Sequence, residues 1–154
     1  MAGAPVWRIA RHAHALDRRG AGARADGGRW NQAGTPVIYA GTTIAIAALE
    51  KYVHAAGSMP ADLVLVRIEL PTACSTEKPK LADLPRDWDS VPPAASSMTF
   101  GTRWAREHRS LVLYVPSALI REEMNAVLNP DHPEFRGVKM TVQRPFRYDA
   151  RMYS

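Results

Sequence analysis

Apolar and polar positions along the chain fall into short, sharply bounded segments. Val6, Arg8 and Ala10 alternate with Trp7 and Ile9, a period of two that predicts a strand with Arg8 on the face opposite Trp7. Residues 11–28 show little periodicity and many small or charged side chains, the pattern of a long loop with room for a short turn of helix. A second strand is predicted in Thr35-Pro36-Val37-Ile38-Tyr39-Ala40, introduced by Gly34 and Pro36. The stretch from Gly41 to Gly57 is the clearest helix, alanine-rich, with Thr42 or Thr43 as N-cap and Gly57 as the stop. Its spacing predicts a core stripe of Ala45, Leu49, Tyr52, Val53 and Ala56, with Ile46, Ala47, Glu50 and His54 on an adjoining face.

Residues 62–70 read as a strand ended by Pro71. The next segment, to Ser97, holds five of the chain's twelve prolines and reads as an irregular connection anchored by Leu81, Leu84 and Trp88, with one helical turn near Leu81. A short helix is expected over residues 100–109 and a strong strand over residues 110–117. Asn129-Pro130 and His132-Pro133 interrupt the apolar positions of residues 119–135, which are read mostly as loop. One or two strands complete the chain over residues 138–149. Strands outnumber helices without a regular βαβ alternation, so the expected fold class is α+β, a single domain over residues 1–154 built on a mixed, largely antiparallel sheet with flanking helices.

Composition narrows this picture. The apolar share of 46% is ordinary for one globular domain. No apolar run approaches the ~20 residues that span a bilayer and no leader pattern opens the chain, so a cytoplasmic location without membrane contact is expected. Cys74 is the lone cysteine, which excludes an intrachain disulfide. The net charge of +5 favours an anionic partner. Sixteen of the 20 basic residues are arginine, interspersed with acids rather than clustered, which weakens a nucleic-acid-binding reading without removing it.

The chemistry-bearing candidates are few. Gly27-Gly28 permits close approach of backbone to a ligand, and Arg29 follows at once; alone this is more often a tight turn with a solvated arginine. Trp30 adds an anchor and Asn31 a side chain able to cap the local backbone, so an arginine on this loop is preorganised. Glu50 lies among small helical side chains that leave room for a substrate, or is a boundary glutamate partnered by Lys51 or His54. Ser117, after a buried strand, has no histidine recognisably placed to activate it, and a strand-end hydrogen bond or a ligand contact suits it better than nucleophilic attack. His12-Ala13-His14 lacks the partners a metal site needs, so no metal is expected.

Taken in order, WRIA (from Trp7), GGRWN, VIYA, ALEKYVH, LPRDW, LVLYVPS and EEMNAVLNPDHPEF resemble the RES domain, the toxin of a bacterial toxin–antitoxin pair named for its Arg, Glu and Ser. The resemblance runs from Trp7 to Arg151. It implies an ADP-ribosyltransferase-like fold with a cleft for NAD, which such toxins destroy by hydrolysis or phosphorolysis, while one branch transfers ADP-ribose to a protein. NAD is then substrate and no cofactor is required. The resemblance places Arg29 on the family's arginine, Tyr39 on its cleft tyrosine, Glu50 on its glutamate, Ser117 on its serine and Arg8 on a second substrate arginine. Residues 17–28, DRRGAGARADGG, depart from the pattern, with charge where many relatives carry an aromatic. In this reading Arg29 and Arg8 grip the pyrophosphate and Tyr39 stacks on the nicotinamide. Gly28 and Asn31 shape the binding loop, Glu50 steadies the ribose as the base departs, Ser117 holds the ligand in register and His54 supports Glu50. The implied partners are NAD, a protein acceptor of ADP-ribose, and a cognate helix-turn-helix antitoxin that covers the cleft; DNA is reached only through the antitoxin.

Overall fold

A computed structural model describes residues 3–153 and contains a seven-stranded mixed sheet. Its strands are β1 (Val6–Arg11), β2 (Ile38–Gly41), β3 (Leu63–Glu69), β4 (Thr76–Glu77), β5 (Val112–Pro116), β6 (Met124–Leu128) and β7 (Lys139–Pro145), in the order β4-β5-β6-β2-β1-β3-β7. All neighbours run antiparallel except the short edge strand β4, which lies parallel to β5. The helices are α1 (Ala21–Asp26), α2 (Ile44–Ala55) and α3 (Ala95–Arg106). This is the α+β arrangement expected from the sequence.

Side chains on a strand alternate between faces, and cross-strand partners share a face. One face carries Val6, Ile38, Ala40, Val64, Val66, Ile68, Val112, Ala126 and Leu128, covered by Ala15, Leu111, Phe135 and Val138. On the other face α2 sits over Ile9, Leu63 and Leu65 through Ala47. Trp104 and Ala105 of α3, with Trp30 and Trp88, cover Leu113, Val115 and Val127 on that same face. Helices α2 and α3 therefore cover the same sheet face, α2 over β1 and β3 and α3 over β5 and β6.

The two halves of the sheet are barely joined. β1 and β3 are in register from Val6↔Ile68 to Arg11↔Leu63, whereas β1 meets β2 in one registered pair, Trp7↔Gly41. Beyond that pair the strands diverge and the sheet forks. The start of α2 lies directly above the join: a Cβ on Gly41 would come within 2.7 Å of Ile46 Cγ2 and 2.8 Å of the Ala47 nitrogen, so this approach requires glycine. Thr43 caps the helix, its Oγ1 accepting from the Ile46 N–H at 3.1 Å. Ala56 and Gly57 both take positive φ and end it.

The structure corrects several sequence expectations. Residues 124–128, read as loop, form β6 in the interior of the sheet, and Pro130 follows that strand rather than breaking an element. Ala126 and Leu128 face one core while Asn125 and Val127 face the other, the strand alternation that the Asn-Pro and His-Pro pairs had masked. Helix α3 begins at Ala95, five residues before the expected start at Phe100. The stripe assigned to α2 is rotated: Ile46 and Ala47 are buried, whereas Ala45, Val53 and Ala56 are exposed. Alanines flank every turn of this helix, so hydropathy alone could not fix its inward face; the clearance over Gly41 does. Among the expected anchors of the proline-rich connection, Leu84 and Trp88 are buried but Leu81 is 51% exposed.

Candidate active site

The loop after α1 is built from the inside. Gly28 and Asn31 form a tight reversal, the Gly28 N–H donating to the Asn31 carbonyl at 3.0 Å. Asn31 is fully buried, and its Nδ2 donates to the carbonyls of Ala23 at 2.8 Å and Thr35 at 3.0 Å. Its Oδ1 accepts from the Tyr39 hydroxyl at 2.6 Å, and that hydroxyl in turn accepts from the Trp30 N–H at 3.0 Å. Burial pushes the Tyr39 phenol well above the ordinary tyrosine range, opposed by the Trp30 N–H and the charge of Arg29. Tyr39 is therefore a neutral hub that pins the loop to β2. Gly28 leaves room for it, since a Cβ there would lie 2.8 Å from the Tyr39 hydroxyl oxygen.

Arg29 is held in turn. Its Nη1 donates to the carbonyls of Trp88 at 2.8 Å and Ser90 at 2.7 Å, while Trp30 stacks on Trp88 with ring centroids 6.4 Å apart. The remaining donors of the guanidinium, Nε and Nη2, make no hydrogen bond among the described residues. A cation fixed on one edge and open on the other is preorganised for an anion.

Glu50 projects from the inward side of α2 and is bound through one oxygen. Oε1 accepts from Ser117 Oγ and from Asn125 Nδ2, both at 2.8 Å. Among the described residues Oε2 has His54 as its one polar neighbour, with Nε2 3.5 Å away on a side chain that is 74% exposed. Ser117, fully buried just beyond β5, has no free capacity: its Oγ also accepts from the N–H groups of Leu119 at 3.0 Å and Ile120 at 3.3 Å. Its hydroxyl proton is given to Glu50, so in this arrangement it orients the carboxylate.

Tyr39 and Gly41 lie on one face of β2, opposite Val127 and Asn125 of β6. The loop that carries Arg29, pinned by Tyr39, and Glu50, held by Asn125, are therefore both anchored to the same sheet face. Asn31 lies beneath the loop with both amide hydrogens committed, and His54 stands at the rim.

Arg8 comes from β1 opposite Val66, on the sheet face of Val6 and Ile68 and not on the face that carries Tyr39 and Gly41, and it lies beside the fork. Its Nη1 is buried without a partner, and its guanidinium makes no hydrogen bond among the described residues. Burial lowers its proton affinity, and the charge of Asp17 acts the other way. Asp17 is partly buried, which opposes ionisation, yet the Ala21 and Arg19 N–H groups at 2.9 and 3.1 Å and the charge of Arg8 hold it below the usual carboxylate range. Lys51 on α2 is depressed by burial first and then by the charges of Arg8 and Arg11. A largely buried cation without a hydrogen-bond partner, only partly offset by Asp17 and with Lys51 near it, attracts an anion.

Sequence reasoning passed over two of these residues. Asn125 was hidden by the loop assignment; the alternation of residues 124–128 is the signal that finds it. Lys51 appeared only as a partner for Glu50, and no pattern in the sequence places it near Arg8. No group of three or more His, Cys, Asp or Glu side chains converges as a metal site among the described residues.

This architecture has relatives. Residues 5–149 match the model of the RES domain. The Prs ADP-ribosylating toxin of Sphingobium sp. is 41% identical over 152 residues, covering 95% of this chain and 94% of that protein. Toxin Res of Pseudomonas putida is 36% identical, covering 96% of this chain and 99% of its own length. Toxin Res of Yersinia enterocolitica is 37% identical over 86% of this chain and 88% of that protein. A chain in the crystal structure of the M. tuberculosis MbcT-MbcA toxin-antitoxin complex shares the fold, with a TM-score of 0.69 at 20% identity over 99% of this chain and 87% of that one. With nearly its whole length matched and its sheet, fork and helices laid out as described, the chain belongs to the RES domain family and is a toxin of that family.

Proposed function

We propose that the protein consumes NAD by breaking the bond between nicotinamide and ribose. One observation carries the reading: a carboxylate anchored through a single oxygen, and a loop that immobilises a guanidinium with an open edge, are both anchored to one sheet face. NAD carries two negative charges on its pyrophosphate. The open edge of Arg29 is complementary to them, and the unpartnered guanidinium of Arg8, on the other face of β1, would reach them through the fork between β1 and β2. The ring of Tyr39, its hydroxyl already engaged, serves as a flat surface for nicotinamide.

As the bond from C1′ to the nicotinamide nitrogen stretches, its electron pair leaves with nicotinamide and the ribose acquires oxocarbenium character. Glu50 Oε2, the oxygen that Ser117 and Asn125 leave unbound, accepts a hydrogen bond from a ribose hydroxyl and stabilises that charge. Once bound substrate shields the carboxylate from water, this contact is worth about 3 kcal/mol, roughly a hundredfold in rate. Water then yields ADP-ribose, inorganic phosphate yields ADP-ribose 1″-phosphate, and a protein side chain yields an ADP-ribosylated target. The name of the Sphingobium relative, an ADP-ribosylating toxin, favours keeping the last outcome as the second reading. A cognate helix-turn-helix antitoxin would cover the cleft, and the cytoplasm, where NAD is abundant, is the compartment of action. The solved complex containing the structural neighbour is consistent with such a partner.

Mass spectrometry of NAD products, with and without phosphate and with a cell extract as acceptor, tests the proposal. Glu50→Gln keeps an oxygen for Ser117 and Asn125 but replaces Oε2 by a donor, so turnover should fall by about 10²–10³ while the fold survives. Intact NAD under all three conditions with wild-type protein would reject the proposal.

A further inference from the structure

Resting on that reading of Glu50, we propose that Asn125 is a positioning residue for catalysis: its amide fixes the Glu50 carboxylate by Oε1 so that Oε2 is the oxygen offered to the substrate. Asn125 lies on β6, between Gly41 of β2 and Val115 of β5 on the same sheet face. A carboxylate can only accept, so the contact at 2.8 Å requires that Nδ2, not Oδ1, face Glu50. The orientation of the amide is therefore determined by its neighbour.

That orientation has a cost. Oδ1 is left buried with no hydrogen-bond partner among the described residues. A buried orphan acceptor in the interior of a sheet destabilises the fold, and a β-branched hydrocarbon at this place would pack as a good strand former without it. An amide here is thus poorly explained by stability. It is explained by what Nδ2 does: Ser117 from the end of β5 and Asn125 from β6 approach one oxygen together, which removes the rotational freedom of the carboxylate. Losing one of the two anchors lets Glu50 swing while its charge, on a side chain 24% exposed, stays solvated. The damage falls on geometry and leaves folding intact.

Two variants test this in the full-length protein. Asn125→Val removes the donor and the orphan acceptor together. Its melting temperature should equal or exceed that of wild type, kcat for NAD loss should fall about 10–100-fold, and KM should stay within about threefold. Asn125→Asp keeps the shape but sets an oxygen against Glu50, and kcat should fall at least as far. A residue that merely fills space would give the opposite pattern: a destabilised Asn125→Val, a near-normal Asn125→Asp, and kcat preserved in both. That pattern overturns the proposal. If wild-type protein leaves NAD intact, the functional reading fails separately, and crystal structures still decide this point. Glu50 should occupy one rotamer in wild type and leave it in Asn125→Val; an unmoved Glu50 in the variant also overturns the proposal.

Discussion

Replacing Tyr39 by phenylalanine separates the two jobs of that side chain, because the ring stays and only the hydroxyl goes. The hydroxyl accepts from the Trp30 N–H at 3.0 Å and donates to Asn31 Oδ1 at 2.6 Å. Both partners are buried, Trp30 at 2% exposure and Asn31 fully. Stranding a buried N–H costs about 1–3 kcal/mol. Taking ~2 kcal/mol, and about 2–4 °C per kcal/mol for a domain of this size, Tyr39→Phe should melt roughly 4–8 °C below wild type. Thermal unfolding followed by circular dichroism at neutral pH reads this directly. The hydroxyl also leaves a mark at alkaline pH. The folded-state pKa lies above the unfolded value of 10.0, so between the two the unfolded chain has lost a proton that the folded one retains. This contribution is complete below the unfolded value and declines as pH rises through the folded one. Wild type should thus lose its advantage over Tyr39→Phe as pH climbs past 10.0. A melting temperature within about 1 °C of wild type, or a difference independent of alkaline pH, would refute the role of the hydroxyl as the loop's anchor.

Two further outcomes are expected. Arg8→Met removes an unpartnered buried cation, so stability should hold or rise by about 1 kcal/mol while KM for NAD rises tenfold or more, as calorimetry and initial-rate kinetics would show; a large loss of stability would mean Arg8 is paired in the free protein. Gly28→Ala puts a Cβ 2.8 Å from the Tyr39 hydroxyl and should cost about 1–3 kcal/mol with weakened NAD binding, measurable by denaturant titration; a neutral variant would show that the loop adapts freely.

What the sequence made legible were the places where chemistry and backbone conformation coincide. Glycines beside Arg29 marked a loop requiring close approach, and alanine-rich helix propensity put Glu50 on α2. The strand through Val115 placed Ser117 at its exit. Harder to see was anything decided by packing. Nothing in a helix full of alanine tells which side meets the sheet, so the inward turn of Ile46, Ala47 and Glu50 depended on the glycine beneath. The serine- and threonine-rich start of α3 carried no apolar period, although Ser97 is buried there. Met124 to Leu128 alternate as a strand should, but two X-Pro pairs downstream drew attention to the loop and away from Asn125. The resemblance to the family supplied Arg29, Glu50 and Ser117 by position; only coordinates gave the hydrogen bond between the last two.

The single Trp7↔Gly41 rung between β1 and β2 makes α2 a splice across a seam. One side of this helix rests on β1 and β3 through Ala47, and its start presses on β2 at Gly41. The C-terminal segment grips it from outside, the Tyr148 hydroxyl donating to the Ala48 carbonyl and the Tyr52 hydroxyl to the Met152 carbonyl. The carboxylate thus rides on the very brace that keeps two half-sheets together. Loosening the brace blunts the chemistry and weakens the scaffold in the same stroke, so substitutions at the helix's packing positions, unlike those at the carboxylate itself, should damage both together.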